Sequence, residues 1–342
     1  MNLKINQNSK ILIIGSRNNF SLESIYFKSF KHLNFKVDFL NIEKSIYNRI
    51  IAKIKRHFSE LNYKLLRKKL IFFLKKKKTK YDLIIFFKSI YLDLKTLKKF
   101  KSINGSAIYI NIFPDDPFDI RNPVISNQSF IKTINEFDFF CLWSKKIIKK
   151  QKKRLKTKFI YLPFGFDSLS IPRLNKVSKK KREKEINFIG TFDKNRLNIL
   201  ESINIKKKIY GGNWIKLNKT KINNAFFGPH IYGKDIFKLM NRSAISLNIL
   251  RKQNYSAHNM RTFEIPANNG LMLTTRSNEQ NKFFKENKAC FMFSTKKELK
   301  KKIRFILQNP KKAEKVRKLG NSLVRKHSYI NRVKYLIKKI NK

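Results

Sequence analysis

The run Tyr81–Ile112, YDLIIFFKSIYLDLKTLKKFKSINGSAIYINI, decides the fold. It opens and closes on short apolar segments, Tyr81–Phe87 and Ala107–Ile112, with a Lys-rich stretch between them. Such runs read as strands buried on both faces, and strands of this kind separated by helices form a parallel α/β sheet. The pattern extends in both directions. Upstream, Lys10–Gly15 (KILIIG) is a strand ending in glycine, Ser21–Leu33 has helical spacing, Lys36–Leu40 returns as a strand and Ile50–Leu74 reads as a long basic amphipathic helix. Downstream come a strand at Phe137–Leu142, a helix at Ser144–Lys153 and a strand at Phe159–Leu162.

A second unit repeats the theme. Between Phe164 and Glu185 the chain turns polar, with Pro172 and the basic run Lys179–Arg182, which marks a linker. Strands follow at Ile186–Ile189, Lys208–Tyr210, Ala244–Leu250, Leu271–Thr275 and Cys290–Phe293, then helices at Lys296–Leu307, Pro310–Lys326 and Tyr329–Ile340. The expected architecture is α/β, two Rossmann-like domains facing across a cleft. Their expected spans are 1–165 and 166–342, and the pattern leaves open that the last helix crosses back to the first domain. The lysine runs Lys75–Lys78 and Lys179–Arg182 read as solvated faces.

Among the 342 residues, 79 are Lys or Arg and only 22 Asp or Glu, a net charge of +57. Such a balance favours anionic partners. The bias runs along the whole chain, however, and the aromatic residues are mostly Phe inside apolar runs. Neither a discrete basic patch nor a stacking platform for single strands stands out. The charge therefore implies a general affinity for anions, an acidic membrane surface included, and no specific nucleic acid. Two cysteines, Cys141 and Cys290, lie far apart in apolar surroundings, as reduced core residues do. The start, MNLKINQNSK, has no apolar signal core, and lysines interrupt every apolar run before bilayer length. A cytoplasmic protein is the expectation, and the basic charge leaves open a peripheral contact with the inner face of the membrane.

Scarce acids make His258–Gly270, HNMRTFEIPANNG, conspicuous. It follows an apolar run, starts a short helix, and sets Arg261 beside Glu264. A helix start offers free N–H groups to phosphate, Arg261 adds a planar cationic fork, and Glu264 is placed to accept from a ribose diol. The alternative is a capped helix with a structural Arg–Glu pair. Gly190-Thr191 with Arg196 follows a strand, where glycine admits a ligand to the backbone and Arg196 has the reach for a phosphate. Gly211-Gly212 repeats this at the next strand exit, and Trp214 either flanks a base or fills the core. His258 is a candidate for assisting a leaving phosphate, with a capping role as the alternative. In the first half, Asp115, Asp116 and Asp119 follow a strand within NIFPDDPFD. Asp115 or Asp116 is a candidate general base for an acceptor hydroxyl, and the alternative is a Pro-rich turn. Lys88-Ser89 and Gly15-Ser16-Arg17 leave strands of the same half, but a lone glycine falls short of a dinucleotide fingerprint. No third ligand accompanies the acids, so neither a metal nor any other cofactor is expected.

Several blocks carry a family resemblance: INIFPDDP, CLWSKKIIKKQKKRLKTKFIYLPFGFD, INFIGTFDKNR, IYGGNW, LNILRKQNYSAHNMRTFEIPANNGLMLTT and LGNSLVRKHSYINRVKYLI. Together they resemble the CgeB-like, spore-protein-type glycosyltransferases of the GT-B class, over residues 80 to 340 and most strongly from Ile186. The resemblance implies that the C-terminal domain holds a nucleotide-diphospho-sugar and the N-terminal domain the acceptor. It sets Glu264 on the ribose, with Arg261 and Asn259 by the diphosphate. Many related enzymes carry a second Glu eight residues before this one; here Ser256 stands there. The reading is a glycosyltransferase acting on a cell-surface glycan precursor or a protein, with Asp115 or Asp116 set opposite Arg261 across the cleft. Its rivals are a basic nucleic-acid- or membrane-binding protein on an α/β scaffold, and a nucleotide-sugar-binding domain without turnover.

Overall fold

The computed structural model describes residues 4–42, 58–77, 79–119, 126, 128–171, 182–214, 222–251 and 254–342. The start of the expected Ile50–Leu74 helix, Lys78, Pro172 and most of the Lys179–Arg182 run lie outside them. Two compact units divide the chain: 1–163 with 329–342, and 164–328.

The first unit is built on strands β1 (Lys10–Gly15), β2 (Lys36–Asn41), β3 (Leu83–Phe87), β4 (Ile108–Phe113), β5 (Phe139–Leu142) and β6 (Lys158–Tyr161). All pair in parallel, in the order β2-β1-β3-β4-β5-β6. Ile13, Ile85, Ile110 and Phe139 lie in register across the four middle strands, so one row of apolar side chains crosses the sheet. Strands β1 and β3 are apolar almost throughout because helices cover both faces of a parallel sheet. These are α1 (Leu22–His32), α2 (Phe58–Lys77), α3 (Leu94–Asn104), α4 (Gln128–Ile131) and α5 (Lys145–Gln151). Ser21, Asp93 and Ser144 cap α1, α3 and α5, each side chain accepting a backbone N–H in the first turn. That places each of these helix starts just beyond the carboxyl end of a strand.

In the second unit the elements run β7 (Glu183–Ile189), α6 (Lys194–Glu201), β8 (Lys207–Tyr210), β9 (Ala225–Gly228), α7 (Lys234–Arg242), β10 (Ser243–Asn248), α8 (Arg261–Ala267), β11 (Met272–Thr275), α9 (Asn278–Phe283), β12 (Phe291–Phe293), α10 (Lys296–Gln308) and α11 (Pro310–Val324). The sheet order is β12-β11-β10-β7-β8-β9, again all parallel. Strand β9 has no clear sequence signal, because AFFG is short and sits beside Asn224, which adopts a positive φ. The segment read as a polar linker begins on buried Phe164 and Phe166 and ends inside β7, where Glu185 is fully buried.

The last helix, α12 (Tyr329–Ile340), belongs to the first unit and packs on α1. Tyr329, Val333, Leu336 and Ile340 join the core around Ile25, Tyr26 and Phe30. Each such buried side chain contributes about 1.5–3 kcal/mol. Among the described residues no helix is long and apolar enough to cross a membrane. Cys141 and Cys290 are buried free thiols, and burial pushes both well above the usual thiol range.

Candidate active site

In an open parallel sheet, ligands gather beyond the carboxyl ends of the strands where the strand order reverses. In the second unit that point lies between β7 and β10. There Arg261, the first residue of α8, donates from Nε to the Ile189 carbonyl at the end of β7 (3.2 Å). Its Nη1 pairs with the Glu264 carboxylate one turn on. The two side chains keep 25% and 20% of their surface in solvent, enough for a ligand to reach both. The expected helix starting near His258 is shorter, seven residues from Arg261, with Pro266 inside it.

A buried polar network holds this turn. Asn248 and Asn259 exchange side-chain hydrogen bonds (3.1 and 2.9 Å), and Asn259 Oδ1 accepts the Thr262 N–H (3.1 Å). Below them Gln280 Oε1 accepts from the hydroxyls of Thr262 (2.8 Å) and Thr274 (3.1 Å). Asn259 thus caps α8 and fixes the backbone from which Arg261 projects. Asn248, Thr274 and Gln280 were not legible as site residues, since they come from a strand, another strand and a helix that converge only in the fold.

Two candidate roles change here, those of Arg196 and His258, and Trp214 takes one of its two open readings. Arg196 is 7% exposed, and its guanidinium donates to the carbonyls of Ile249 (3.2 and 2.9 Å) and Thr191 (2.7 Å), with Asp193 at 3.3 Å. Burial depresses its pKa to about 10, against the pull of Asp193. Rather than reaching for a phosphate it ties the β7 and β10 exits together and sets a fixed positive charge beneath them. His258 is completely buried, with Nδ1 on Glu279 (3.1 Å), Nε2 accepting from the Phe164 N–H (3.2 Å), and Phe263 and Phe283 edge-on to its ring. It is a packed histidine with no exposed ring atom to offer a leaving group. Trp214 is also fully buried, stacked on Phe227 and donating to the Gly190 carbonyl, so it fills the core.

The glycines are required by close packing. Gly211 has φ +137, and a Cβ there would lie 2.3 Å from the Gly190 carbonyl oxygen. A Cβ on Gly190 itself would meet the Phe188 ring at 2.9 Å and Arg196 Nη1 at 3.2 Å. Thr191, beside Gly190, contributes its carbonyl to Arg196.

The first unit reverses its strand order between β1 and β3. Lys88, just past β3, holds a left-handed backbone (φ 42) and pairs with Asp115 beyond β4 at 2.5 Å. The two neighbouring acids part here: Asp116 accepts the Phe118 N–H (3.0 Å) and shapes its own turn. As a pair, therefore, Asp115 and Asp116 do not face one reacting group. A third acid, Glu23, was missed by the sequence reading. It lies in the first turn of α1 and folds over Gly15, where a Cβ would be 2.4 Å from its Cγ. Its carboxyl receives hydrogen bonds from the Ser16 and Glu23 N–H groups and from Ser21. Burial raises its pKa, and those hydrogen bonds and Lys88 oppose the rise. Asn111, wholly buried on β4, donates to Ser89 Oγ at 2.6 Å. No group of three or more His, Cys, Asp or Glu able to hold a metal ion occurs among the described residues.

Two parallel six-stranded units of this topology define the GT-B fold. Many solved structures share it, among them the following three. Anabaena Alr3699/HepE, in complex with UDP and glucose, is 13% identical, with 97% of this chain and 99% of that one covered and a TM-score of 0.68. Sucrose-phosphate synthase from Thermosynechococcus elongatus is 10% identical over 97% and 99%, with a TM-score of 0.70. A mutant of S. aureus TarM, in complex with fondaparinux, alpha-GlcNAc-glycerol and UDP, is 12% identical over 81% and 59%, with a TM-score of 0.58. Residues 195–338 match the family described as glycosyl transferase-like. No curated protein matches the chain. By fold the chain is of the GT-B type, and its match to the glycosyl transferase-like family is confined to residues 195–338, less than half of its length.

Proposed function

We propose that the protein transfers a sugar from a nucleotide-diphospho-sugar to a cell-surface glycan precursor or a protein, in the manner of the CgeB-like transferases. The second unit holds the donor. Glu264 takes the ribose hydroxyls, while Arg261 and Asn259 lie by the diphosphate, with the backbone at Gly190, Thr191 and Gly211 close to it. As the glycosidic bond breaks, negative charge grows on the diphosphate, and Arg261 with the fixed charge of Arg196 stabilises it. The first unit holds the acceptor. Its hydroxyl gives up a proton to a carboxylate beside Lys88, and Glu23 and Asp115 are the two that qualify. Glu23 is the better candidate, because burial raises its carboxyl and lets it hold a proton more readily than an ordinary carboxylate. No cofactor is assigned. The chain works in the cytoplasm at the inner face of the membrane, in contact with acidic lipid.

One observation carries this reading: at the reversal point of the second sheet the part-exposed Arg261–Glu264 pair stands at the start of α8, with the buried Arg196 guanidinium behind it. An arginine fork suits a diphosphate, and a carboxylate one turn on suits a ribose diol. UDP and glucose bound to HepE, and UDP bound to TarM, make uridine compounds the first donors to try. A thermal-shift screen of nucleoside diphosphates and nucleotide sugars tests the assignment. A rise in melting temperature with a nucleoside diphosphate, lost in Arg261→Gln, supports it; no rise with any of them rejects it.

A further inference from the structure

We propose that α2 docks the protein on a bilayer carrying anionic headgroups. This deepens the membrane-contact part of the proposed function and is independent of its chemistry. The inner face of α2 is settled: Asn62, Leu70 and Leu74 are buried, and Arg67 ties the helix to Asp93 (2.9 Å) and the Tyr91 carbonyl (2.7 Å). The opposite face of a surface helix is ordinarily polar. Here it carries Leu61, Leu65 and Phe72, which are 54%, 52% and 65% exposed. At 3.6 residues per turn these three fall within about 40° of one another, at the apex of the outward face. Lys64, Lys68 and Lys75, all exposed, run along one side of that stripe and Lys76 along the other. Glu60, the helix's one acid, is paired with Arg67.

An apolar ridge between rows of ammonium groups matches the boundary between acyl chains and acidic headgroups. The lysines meet lipid phosphate while the apolar side chains enter beneath it. Duplex nucleic acid offers the same charge but no apolar layer for Leu61, Leu65 and Phe72 to enter.

The test uses the full chain with vesicles of phosphatidylcholine alone or mixed with phosphatidylglycerol, at roughly 0.15 M salt. Wild type should sediment with the mixed vesicles. The triple variant Leu61→Gln, Leu65→Gln, Phe72→Gln keeps the charge, and its partition should fall at least about tenfold. Each of Lys64→Gln, Lys68→Gln and Lys75→Gln should cost about fivefold. A second variant, Leu65→Trp, should shift its fluorescence to the blue on mixed vesicles only, over a constant background from buried Trp143 and Trp214. The proposal is overturned if the triple variant binds as wild type does, since diffuse charge then suffices. It is overturned equally if wild type ignores the mixed vesicles, or if the emission added by Leu65→Trp is already blue without lipid, which means that protein covers the ridge. A wild-type dimer that the triple variant abolishes assigns the face to a second copy. An equal loss of DNA binding in the triple variant assigns it to nucleic acid. The shift in melting temperature with nucleoside diphosphate, read on the same triple variant, should be unchanged. Its failure in wild type removes the proposed donor and leaves the docking result standing.

Discussion

Each unit opens on a strand that runs into a glycine, β1 ending at Gly15 and β7 followed by Gly190, and the chain fills the space beside the two glycines with opposite charge. Over Gly15 lies the Glu23 carboxylate; against Gly190 lies the Arg196 guanidinium. In a dinucleotide-binding fold that position belongs to pyrophosphate. The first unit has put its own anion there, and the second has set a cation behind it. Under the proposed function, the first sheet takes a proton and the second a leaving anion. Charge at a strand exit, more than the glycine itself, tells the two apart.

The sharpest way to break this comparison is through Glu23. The Glu23→Gln variant should lose about 10²–10⁴-fold in kcat with donor affinity unchanged, the usual worth of a general base. Asp115→Asn should lose less, and Asp116→Asn least. If Asp115→Asn loses the most, the base is the acid paired with Lys88; if all three keep wild-type kcat in a transfer assay, the first unit holds no base.

Arg196 sharpens the other side. Arg196→Met removes hydrogen bonds that join two strand exits, and should lower the unfolding free energy by about 3 kcal/mol in a urea titration. Weaker donor binding at full stability would instead return Arg196 to direct phosphate contact. Glu264→Gln should leave stability nearly intact and weaken nucleoside-diphosphate affinity roughly ten- to a hundredfold by calorimetry. Unchanged affinity would leave the Arg261–Glu264 pair as a structural ion pair on a capped helix.

The smallest effect is in pH. Burial raises the Glu23 carboxyl from 4.5, so the folded first unit binds this proton more tightly than the unfolded chain does. The stability it brings is full below 4.5 and disappears as pH rises through the raised value. Lys207, 1% exposed, is depressed by burial from 10.5 to about 8. Its contribution is full above 10.5 and is lost as pH falls through about 8. Lys207→Met should therefore gain more melting temperature over wild type at about pH 7 than at about pH 10.5, and Glu23→Gln more at about pH 7 than at about pH 4. A pH-independent difference in either would mean that the group does not titrate as its burial requires.

The strands were legible because both faces of a parallel sheet are covered, which leaves short apolar runs such as LIIFF at Leu83–Phe87 that local composition exposes. Arg261 and Glu264 were legible because they share one turn and acids are rare. Glu23 was not: a glutamate in the first turn of a helix is ordinary, and its significance comes from Gly15, eight residues earlier in the chain and directly beneath it. His258 misled for the converse reason, since rarity suggested chemistry and only the surrounding Phe164, Phe263 and Phe283 reveal a core position. The network of Asn248, Thr274 and Gln280 depends on contacts among three elements, which no local pattern records.

Because α12 returns to the first unit, the second unit is an insertion within it, entered at Phe164 and left at Ser328, with Phe166 and Ser328 bridged side by side. This orders events on the ribosome. A nascent chain that has not yet reached Tyr329 holds every strand of both sheets, but the apolar side of α1 still lacks Val333, Leu336 and Ile340. The half that begins synthesis first is thus the half that finishes folding last. Shortening the protein from its carboxyl end reopens the amino-terminal domain and spares the one nearer the cut.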